Sequence, residues 1–259
     1  MDKEELSALL DASNGGDVFS IQKLVEYYLS IGKNNLAFEM AYRFNYLNNP
    51  KGYSTLAYLY SKGLGTEVDI SKAKELYEKS LKLGELSAGY NLALIYIKEK
   101  DFDNALKYLL SGVTSQYVPS IKLLANMYIN GDGVVPSKDI AVNLLKQAIS
   151  LGDKKSNVTL AKLYYSLGEY NEAFNYFFKG IEDNDLDSIY YVGLCYAKGY
   201  GVKQDFATAL KYYEIGAHLN EPRCLYNLSL YYRNGNIVEQ NEELANKLEE
   251  QAIANGFKK

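Results

Sequence analysis

The sequence contains no tryptophan, one histidine, two cysteines and four prolines in 259 residues. The sequence has no cluster of His, Cys and carboxylates and no His-Glu-x-x-His motif, so it does not predict a metal site. Two cysteines without a CxxC motif argue against a disulfide framework and favour reduced, buried thiols, with a redox role as the alternative. His218 stands near the end of a predicted helix, where we expect it at the surface or in packing; a catalytic base is the alternative.

Long apolar runs and catalytic motifs are also missing. No stretch approaches the roughly 18 apolar residues of a membrane span, and the start MDKEELSALLDASNGG lacks the basic region and apolar core of a signal peptide. There is no Gly-x-Ser-x-Gly, and the carboxylates are scattered, so that no pair is nominated as catalytic acids. The sequence therefore predicts a cytoplasmic protein that is not an enzyme, has no cofactor and does not span a membrane.

Tyrosine, by contrast, is abundant, with 26 residues, as are the helix-forming Ala, Leu, Lys and Glu. Segments such as LAYLYSKGLG (56–65), LANMYINGDG (124–133) and VGLCYAKGYG (192–201) recur, each with an anchor residue shortly before a Tyr-rich step. The separations of the anchors alternate between 32 and 36 residues. These anchors are Val25, Ala57, Ala93, Ala125, Ala161, Gly193 and Ser229. The alternation predicts seven repeats that start near residues 17, 49, 85, 117, 153, 185 and 221.

Each repeat has the pattern of two helices, which we name A and B in chain order. Apolar residues fall at i, i+3 and i+4 around each anchor in helix A, and again around a second small residue in helix B. The second small residues are Ala37, Ala73, Ala105, Ala141, Ala173, Ala209 and Ala245. Each stands 12 or 16 residues after its own anchor, but always 20 residues before the next anchor where one follows. All variation in length therefore lies in the turn between A and B.

The two ends of the chain fit the same arithmetic. Residues 3–13, within a segment 1–16, have the spacing of a helix B that lacks its helix A, and we expect them to form an N-terminal cap. The last helix has several glutamates for the outward polar face that a terminal repeat needs. The sequence thus predicts one domain over residues 1–259, an all-α right-handed α/α superhelix (solenoid) of about seven two-helix repeats with terminal capping helices.

This pattern resembles the Sel1-like repeat, a relative of the tetratricopeptide repeat. The family motif runs roughly A-x-x-x-L-G-x-x-Y-x-x-G-x-G-V-x-x-D-x-x-x-A-x-x-x-Y-x-x-A-A-x-x-G. Repeat six matches it at Gly193, Tyr196, Gly199, Gly201, Val202, Asp205, Ala209, Tyr213 and Gly216. Repeats two and four also match well, whereas repeat seven has Ile237 at the second turn glycine and the 32-residue repeats look closer to tetratricopeptide units. The resemblance covers nearly the whole chain and implies protein–protein interaction.

A Gly-x-Gly step recurs after three A helices, and such a step before a helix can either cradle phosphate or form a turn. The pairs are Gly63/Gly65, Gly131/Gly133 and Gly199/Gly201. A phosphate loop would occur once and would follow a strand, whereas these pairs recur at a fixed distance from their anchors. We therefore predict turns in which glycine supplies a positive φ.

The resemblance also implies where a partner would bind. In tetratricopeptide proteins the inner surface is formed by A-helix positions near −6, −3, +1, +4 and +5 from the anchor. In this chain those positions hold nine basic and two acidic residues, although the net charge of the chain is −4. The candidate partner-binding residues of this concave face are Tyr58, Lys62, Tyr90, Lys98, Lys122, Asn126, Lys162, Tyr165, Tyr190, Lys198, Tyr226 and Arg233. The alternative is a solvated lysine face without a partner.

A basic, Tyr-rich groove in an acidic protein suits an acidic or extended segment of a partner protein. The predicted function is therefore a non-enzymatic scaffold or adaptor. Two alternatives stay open: an inhibitor or immunity-type protein that blocks a partner enzyme or toxin, and an enzyme or glycan-handling accessory. Nucleic acid is disfavoured because the chain is acidic and has no clusters of Lys and Arg.

Overall fold

Every regular element in the residues that the computed structural model describes, 1–235 and 237–258, is helical. The α-helices are α1 (Lys3–Asn14), α2 (Val18–Ser30), α3 (Asn34–Tyr42), α4 (Pro50–Lys62), α5 (Ile70–Lys82), α6 (Leu86–Lys98), α7 (Phe102–Thr114), α8 (Val118–Asn130), α9 (Lys138–Ser150), α10 (Ser156–Leu167), α11 (Tyr170–Ile181), α12 (Leu186–Lys198), α13 (Phe206–His218), α14 (Pro222–Asn234) and α15 (Glu242–Ala254). A 3-10 helix, Arg43–Tyr46, follows α3. The all-α prediction is confirmed.

The helices alternate as the sequence predicts. The even-numbered helices α2 to α14 are the A helices, the odd-numbered helices α3 to α15 are the B helices, and α1 is the unpaired N-terminal helix B. Six of the seven A helices begin one residue after the predicted start of their repeat. The exception is α10, which begins at Ser156. The Ser156 and Asn157 backbone N–H groups donate to the carbonyls three residues back, those of Asp153 (3.1 Å) and Lys154 (3.0 Å), so residues 154–155 form a turn before the helix.

Small residues set the distance between the A and B helices. Every anchor and every second small residue is buried; Ala57 and Ala73, for example, expose none of their surface. With at most a short side chain between them, the two helix backbones approach closely, and the residue before the anchor, leucine in every repeat except repeat six, fills the adjoining space. Leu56 and Leu92 in this position are fully buried, and each such burial stabilises the fold by about 1.5–3 kcal/mol.

Contacts between one repeat and the next depend on a second size rule that the sequence reading did not find. The seventh residue after the small residue of a helix B faces the fifth residue before the next anchor. At Gly216 an added Cβ would overlap the Cys224 side chain, so the first position must be small. In repeat one the sizes are reversed, because Phe44 is fully buried and a Cβ on Gly52 would overlap its ring. One member of the pair is therefore small in both cases.

The A–B turns have two lengths, as predicted. Turns 31–33, 99–101 and 168–169 are short, whereas turns 63–69, 131–137, 199–205 and 235–241 are long. In the long turns the first glycine ends helix A in the left-handed region; Gly199, for example, has φ 73°. The second glycine lies against the preceding repeat, where a Cβ on Gly201 would overlap the Tyr170 carbonyl oxygen. The glycine turn is thus confirmed.

The chain divides into two compact units. Unit 1 comprises Met1–Met127 and Gly131–Val135, and unit 2 comprises Tyr128–Asn130 and Pro136–Lys259. Unit 1 contains α1 to α7 and most of α8, and unit 2 contains α9 to α15. The single domain over residues 1–259 stays a prediction.

Candidate functional site

Unit 1 has a cavity of about 410 Å³ that is formed by two A helices, α4 and α6, and by the helix B between them, α5. It brings together three of the predicted partner-binding residues, Tyr58, Lys62 and Lys98. Its lining includes Tyr58, Lys62, Ile70, Tyr77, Asn91 and Lys98. We call this site the unit-1 cavity.

The rim of the unit-1 cavity is basic. Lys62 and Lys98 lie in the last turns of α4 and α6, are exposed, and make no ion pair with any residue that the structure describes. Glu99, also at the rim, is paired with Lys74 through a 2.5 Å contact. The two ammonium groups partly offset the negative ends of their helices and leave a positive rim.

The floor of the unit-1 cavity is a buried phenol, and part of its wall is an exposed one. Tyr77 is only 2 % exposed, and burial raises its pKa, an effect that a hydrogen bond with Ser61 partly offsets. Tyr58 is 43 % exposed, as is expected of a side chain that can contact a partner. Tyrosine combines a large apolar face with one polar group, which suits a protein interface.

Unit 2 has an equivalent cavity of about 540 Å³ between α12, α13 and α14. Its residues Leu194, Lys198, Phe206, Tyr213, Asn227 and Asn234 stand 136 positions after the six residues named for the unit-1 cavity. This offset is the length of two 32-residue and two 36-residue repeats. Of the predicted partner-binding residues, only Lys198 lines this unit-2 cavity.

Elsewhere in unit 2 the A helices carry an ionic network. Lys162 on α10 contacts the Asp187 carboxylate at 2.5 Å, and Arg223 on α14 contacts the same carboxylate at 2.6 Å. Arg223 also contacts Glu221 at 2.6 Å and lies 4.2 Å from the centre of the Tyr190 ring. Lys162 is therefore part of this network, so that its charge is balanced within the protein, and the Tyr190 ring lies against it.

The carboxylate at the centre of this network is Asp187. Burial raises its pKa, but hydrogen bonds from Lys162 and Arg223 outweigh burial and hold the pKa below its ordinary value. Arg223 is held in addition by the buried Glu221, whose carboxylate also caps the start of α14. A partner carboxylate would have to displace these acids to reach Lys162 or Arg223.

Tyr165, another predicted residue, belongs to an aromatic cluster. Its ring centre lies 5.2–6.5 Å from those of Tyr170, Phe177, Tyr191 and Tyr200. Tyr165 is half-buried, and burial raises its pKa to about 12. Its main contacts are therefore with repeats five and six of its own chain.

Two further predicted residues in unit 2 are also engaged by their own chain. Arg233 contacts Glu242 at 3.3 Å and Glu249 at 2.8 Å, both on α15. Tyr226 stacks on Phe257 with ring centres 4.3 Å apart. Among the residues that the structure describes, Lys198 is the predicted residue of unit 2 that makes no ion pair or ring contact.

The remaining predicted residues lie in unit 1, away from its cavity. Tyr90 on α6 is half-buried and lies 6.4 Å from the ring of Tyr117. On α8, Lys122 is half-buried and Asn126 is exposed. Of the unit-1 predictions, only Tyr58, Lys62 and Lys98 converge on one cavity.

Sequence reasoning missed the polar groups inside the cavities and the internal role of many tyrosines. Asn91 and Asn227 are in equivalent cavity positions that the tetratricopeptide pattern of inner-surface positions omits, although the 136-residue offset could have paired them.

Tyrosines three residues after the anchor of helix A and three after the small residue of helix B stack on each other within a repeat. Examples are Tyr96 with Tyr108 at 5.7 Å and Tyr196 with Tyr212 at 5.9 Å. Much of the tyrosine content is thus structural.

The cysteines and the histidine are side chains with the chemistry of metal ligands or catalytic groups. No set of three or more His, Cys, Asp and Glu in the described part of the chain is arranged to hold a metal ion. Cys195 and Cys224 are buried free thiols, and burial raises the pKa of Cys195 to about 12. His218 is exposed at the end of α13. None of the helices described in residues 1–235 and 237–258 is long and apolar enough to cross a membrane.

A protein-family model described as Sel1 repeat matches residues 51–85, 119–153, 186–221 and 222–257, which together make up more than half of the chain. The four matches correspond to the four repeats with long turns, including repeat seven with its Ile237.

Solved structures support the same fold. A Sel1 repeat protein from Oxalobacter formigenes is 25% identical with a TM-score of 0.65, and the alignment covers 88% of this chain and 94% of that one. The protective antigen c5321 of uropathogenic Escherichia coli, described as having an SLR fold, is 20% identical with a TM-score of 0.71; the alignment covers 96% of this chain and 58% of that one.

Curated relatives are longer than this chain. A putative sel1-like repeat-containing protein of Acanthamoeba polyphaga mimivirus is 29% identical over 117 residues, 45% of this chain and 21% of the relative. The rat DAP3-binding cell death enhancer 1 is 34% identical over 101 residues, 36% of this chain and 20% of the relative. The chain thus matches about a fifth of the length of either relative.

Proposed function

Because the chain belongs to the Sel1 repeat family, whose members generally mediate protein–protein interaction, we propose that it is a scaffold or adaptor for another protein. Sel1 repeat proteins are typically non-enzymatic scaffolds. The proposed ligand is an acidic, extended segment of the partner, held against the A helices of unit 1 in the cytoplasm.

The observation that carries this proposal is the convergence of Tyr58, Lys62 and Lys98 on one cavity. The two lysines make no ion pair with the residues that the structure describes, and the phenol beside them is 43 % exposed. A partner carboxylate would meet two ammonium groups without displacing an internal acid. This distinguishes the unit-1 cavity from Lys162 and Arg223, which already have carboxylate partners.

The spacing of the helices favours an extended segment. Packed helices lie on the order of 10 Å apart, and an extended chain advances roughly 3.3 Å per residue. About three residues of partner would therefore lead from the side chains of α4 to those of α6. Carboxylates at such an interval could reach Lys62 and Lys98 in turn.

The test is capture of partners from a lysate of the source cell, followed by measurement of the affinity for whichever protein is identified. The test variant is Lys62→Glu/Lys98→Glu. The matched control is Lys33→Glu/Lys82→Glu, which makes the same change of charge at exposed unit-1 lysines outside the cavity. Exposed charge pairs contribute about 0.2–1 kcal/mol each, and reversal adds repulsion, so we expect about a tenfold or greater loss of affinity for the test variant alone.

The salt dependence gives a second reading of the same complex. The wild-type complex should weaken as salt rises, because the carboxylate contacts at the cavity rim are screened. Equal capture by the test variant and the wild type would refute the unit-1 cavity as the binding site. A single enzyme or toxin captured one-to-one, and inhibited on binding, would favour the inhibitor function over the adaptor.

A further inference from the structure

The unit-2 cavity presents an apolar rim that the proposed function of the unit-1 cavity leaves unexplained. Phe206 is 46 % exposed and Ile237 is 44 % exposed, and both line the cavity together with the half-buried Leu194 and Leu230. Exposed apolar surface that is contiguous and concave marks an interaction site more often than scattered apolar residues do. The volume of about 540 Å³ lies within the range of pockets that hold ligand groups.

Comparison with the unit-1 cavity shows how this site differs in chemistry. Both cavities keep a buried tyrosine on the floor, an asparagine on the wall and a lysine at the rim. The differences lie around them. Leu194 takes the place of Tyr58, Phe206 that of Ile70, and Asn234 that of Lys98. One positive charge and one phenol hydroxyl are therefore lost, and an aromatic ring stands where the unit-1 cavity has an isoleucine.

The polar side chains that line the unit-2 cavity are only partly engaged by their own chain. The Tyr231 hydroxyl is buried and has no hydrogen-bond partner among the described residues. The Asn227 side chain donates its amide to the Arg223 carbonyl at 2.7 Å, which leaves the amide oxygen as an acceptor. Lys198 at the rim makes no ion pair within the described ranges of the chain. A ligand that fills the cavity could donate a main-chain N–H to the Asn227 amide oxygen, whereas the Tyr231 side chain contributes its ring to the lining.

We propose that the unit-2 cavity binds a bulky aliphatic or aromatic side chain of a partner polypeptide, directly beside an acidic residue whose carboxylate meets Lys198. The apolar side chain covers Phe206 and Ile237, and the partner main chain lies against Asn227 and Tyr231. This assignment rests on the proposed protein-binding function and adds an apolar anchor to the acidic contacts of unit 1.

The test uses a phage-displayed library of random twelve-residue peptides, selected on the immobilised full chain. The best enriched peptide is then synthesised, and its dissociation constant is measured by fluorescence polarisation. The test variant is Phe206→Ser/Ile237→Ser, whose substitutions lie at exposed positions. The matched control is Val135→Ser/Ile253→Ser, which removes two exposed apolar side chains outside both cavities. Lys198→Glu tests the charge.

We expect enriched peptides to share a bulky apolar residue next to Asp or Glu. The test variant should bind such a peptide about tenfold or more weakly, since apolar anchors commonly dominate an interface, and the control should bind it as the wild type does. Lys198→Glu should weaken the acidic peptide but not its Glu→Gln or Asp→Asn counterpart.

Three results would overturn this inference. They are the absence of any enriched motif, enriched peptides without a bulky apolar residue, and undiminished binding by Phe206→Ser/Ile237→Ser. None of them affects the Lys62→Glu/Lys98→Glu comparison in unit 1. Failure of the apolar anchor is therefore distinguishable from failure of the proposed function.

Discussion

The two glycines of the turn in repeat six should respond very differently to the same substitution. Both have φ values in the left-handed region, 73° at Gly199 and 72° at Gly201. Their surroundings differ, because the nearest atom to a Cβ at Gly199 would be the Gln204 Cβ at 3.4 Å, an ordinary contact. At Gly201 the same atom would overlap the backbone carbonyl of Tyr170, at the start of α11.

The structure gives a magnitude for each variant. Placing alanine in the left-handed region costs about 1–2 kcal/mol, and both variants bear this cost. Overpacking adds about 1–3 kcal/mol, and at Gly201 the neighbour is helix backbone that cannot rotate away. We therefore expect Gly199→Ala to lower the free energy of unfolding by about 1–2 kcal/mol and Gly201→Ala by about 2–5 kcal/mol.

The assay is urea unfolding followed by the far-ultraviolet circular dichroism of the helices. With slopes of about 2–3 kcal/mol per molar urea, the overpacking cost of about 1–3 kcal/mol should separate the two midpoints by roughly 0.3–1.5 M. Gly168→Ala is the control for the backbone cost alone, because Gly168 has φ 78° and no atom near an added Cβ. If Gly201→Ala unfolds at the same midpoint as Gly199→Ala, the turn does not pack on the preceding repeat and the reasoning is wrong.

Three other predictions follow from the packing of unit 2. Gly216→Ala should destabilise the protein by about 1–3 kcal/mol although alanine favours a helix, and adding Cys224→Ala should restore part of the loss, as measured by urea unfolding. Asp187→Asn should lower stability at pH 7 by about 1–2 kcal/mol, since it leaves Lys162 without a carboxylate and Arg223 with that of Glu221 alone. The pKa of Asp187 is lowered on folding, so the stabilisation by its carboxylate is complete above the unfolded pKa of about 3.9 and is lost as pH falls through the folded pKa. The difference in free energy of unfolding between wild type and Asp187→Asn should therefore become smaller below about pH 4. A difference that grows below that pH would refute the role of Asp187 in the ionic network. The buried thiols of Cys195 and Cys224 should resist labelling by 5,5′-dithiobis(2-nitrobenzoic acid) at pH 8 until denaturant is added, because burial raises their pKa values. Rapid labelling of the native protein would contradict this prediction.

The candidate site was predictable only in part. Tyr58, Lys62 and Lys98 meet at one cavity as the pattern of the related repeats implied, because positions +1 and +5 of helix A face the same groove in both repeats. The pattern also named Lys162 and Arg233, whose charges are balanced by acids of their own chain. A position on a helix face says which way a side chain points, but not which charge it meets there.

Most of the fold, by contrast, follows from local rules that a sequence displays. Helix starts follow from capping residues and from prolines such as Pro50 and Pro222, and turn lengths follow from the 12- or 16-residue spacing within repeats. Small residues at fixed spacing determine that two helices pack closely, whatever the rest of the chain does. These interactions act between residues within about one repeat of each other, so they can be predicted from the sequence.

Only the tertiary structure decided which charges remain open and which side chains share a space. Lys162 and Lys198 are both exposed lysines on A helices, yet one meets Asp187 from the next repeat and the other lines an apolar cavity. Similarly, Phe44 is accommodated because the next repeat has Gly52 opposite it. Such outcomes depend on distances of a few ångströms between residues of different helices. Electrostatic pairing and side-chain packing act at those distances, and the spacing of residues along the sequence does not specify the distances.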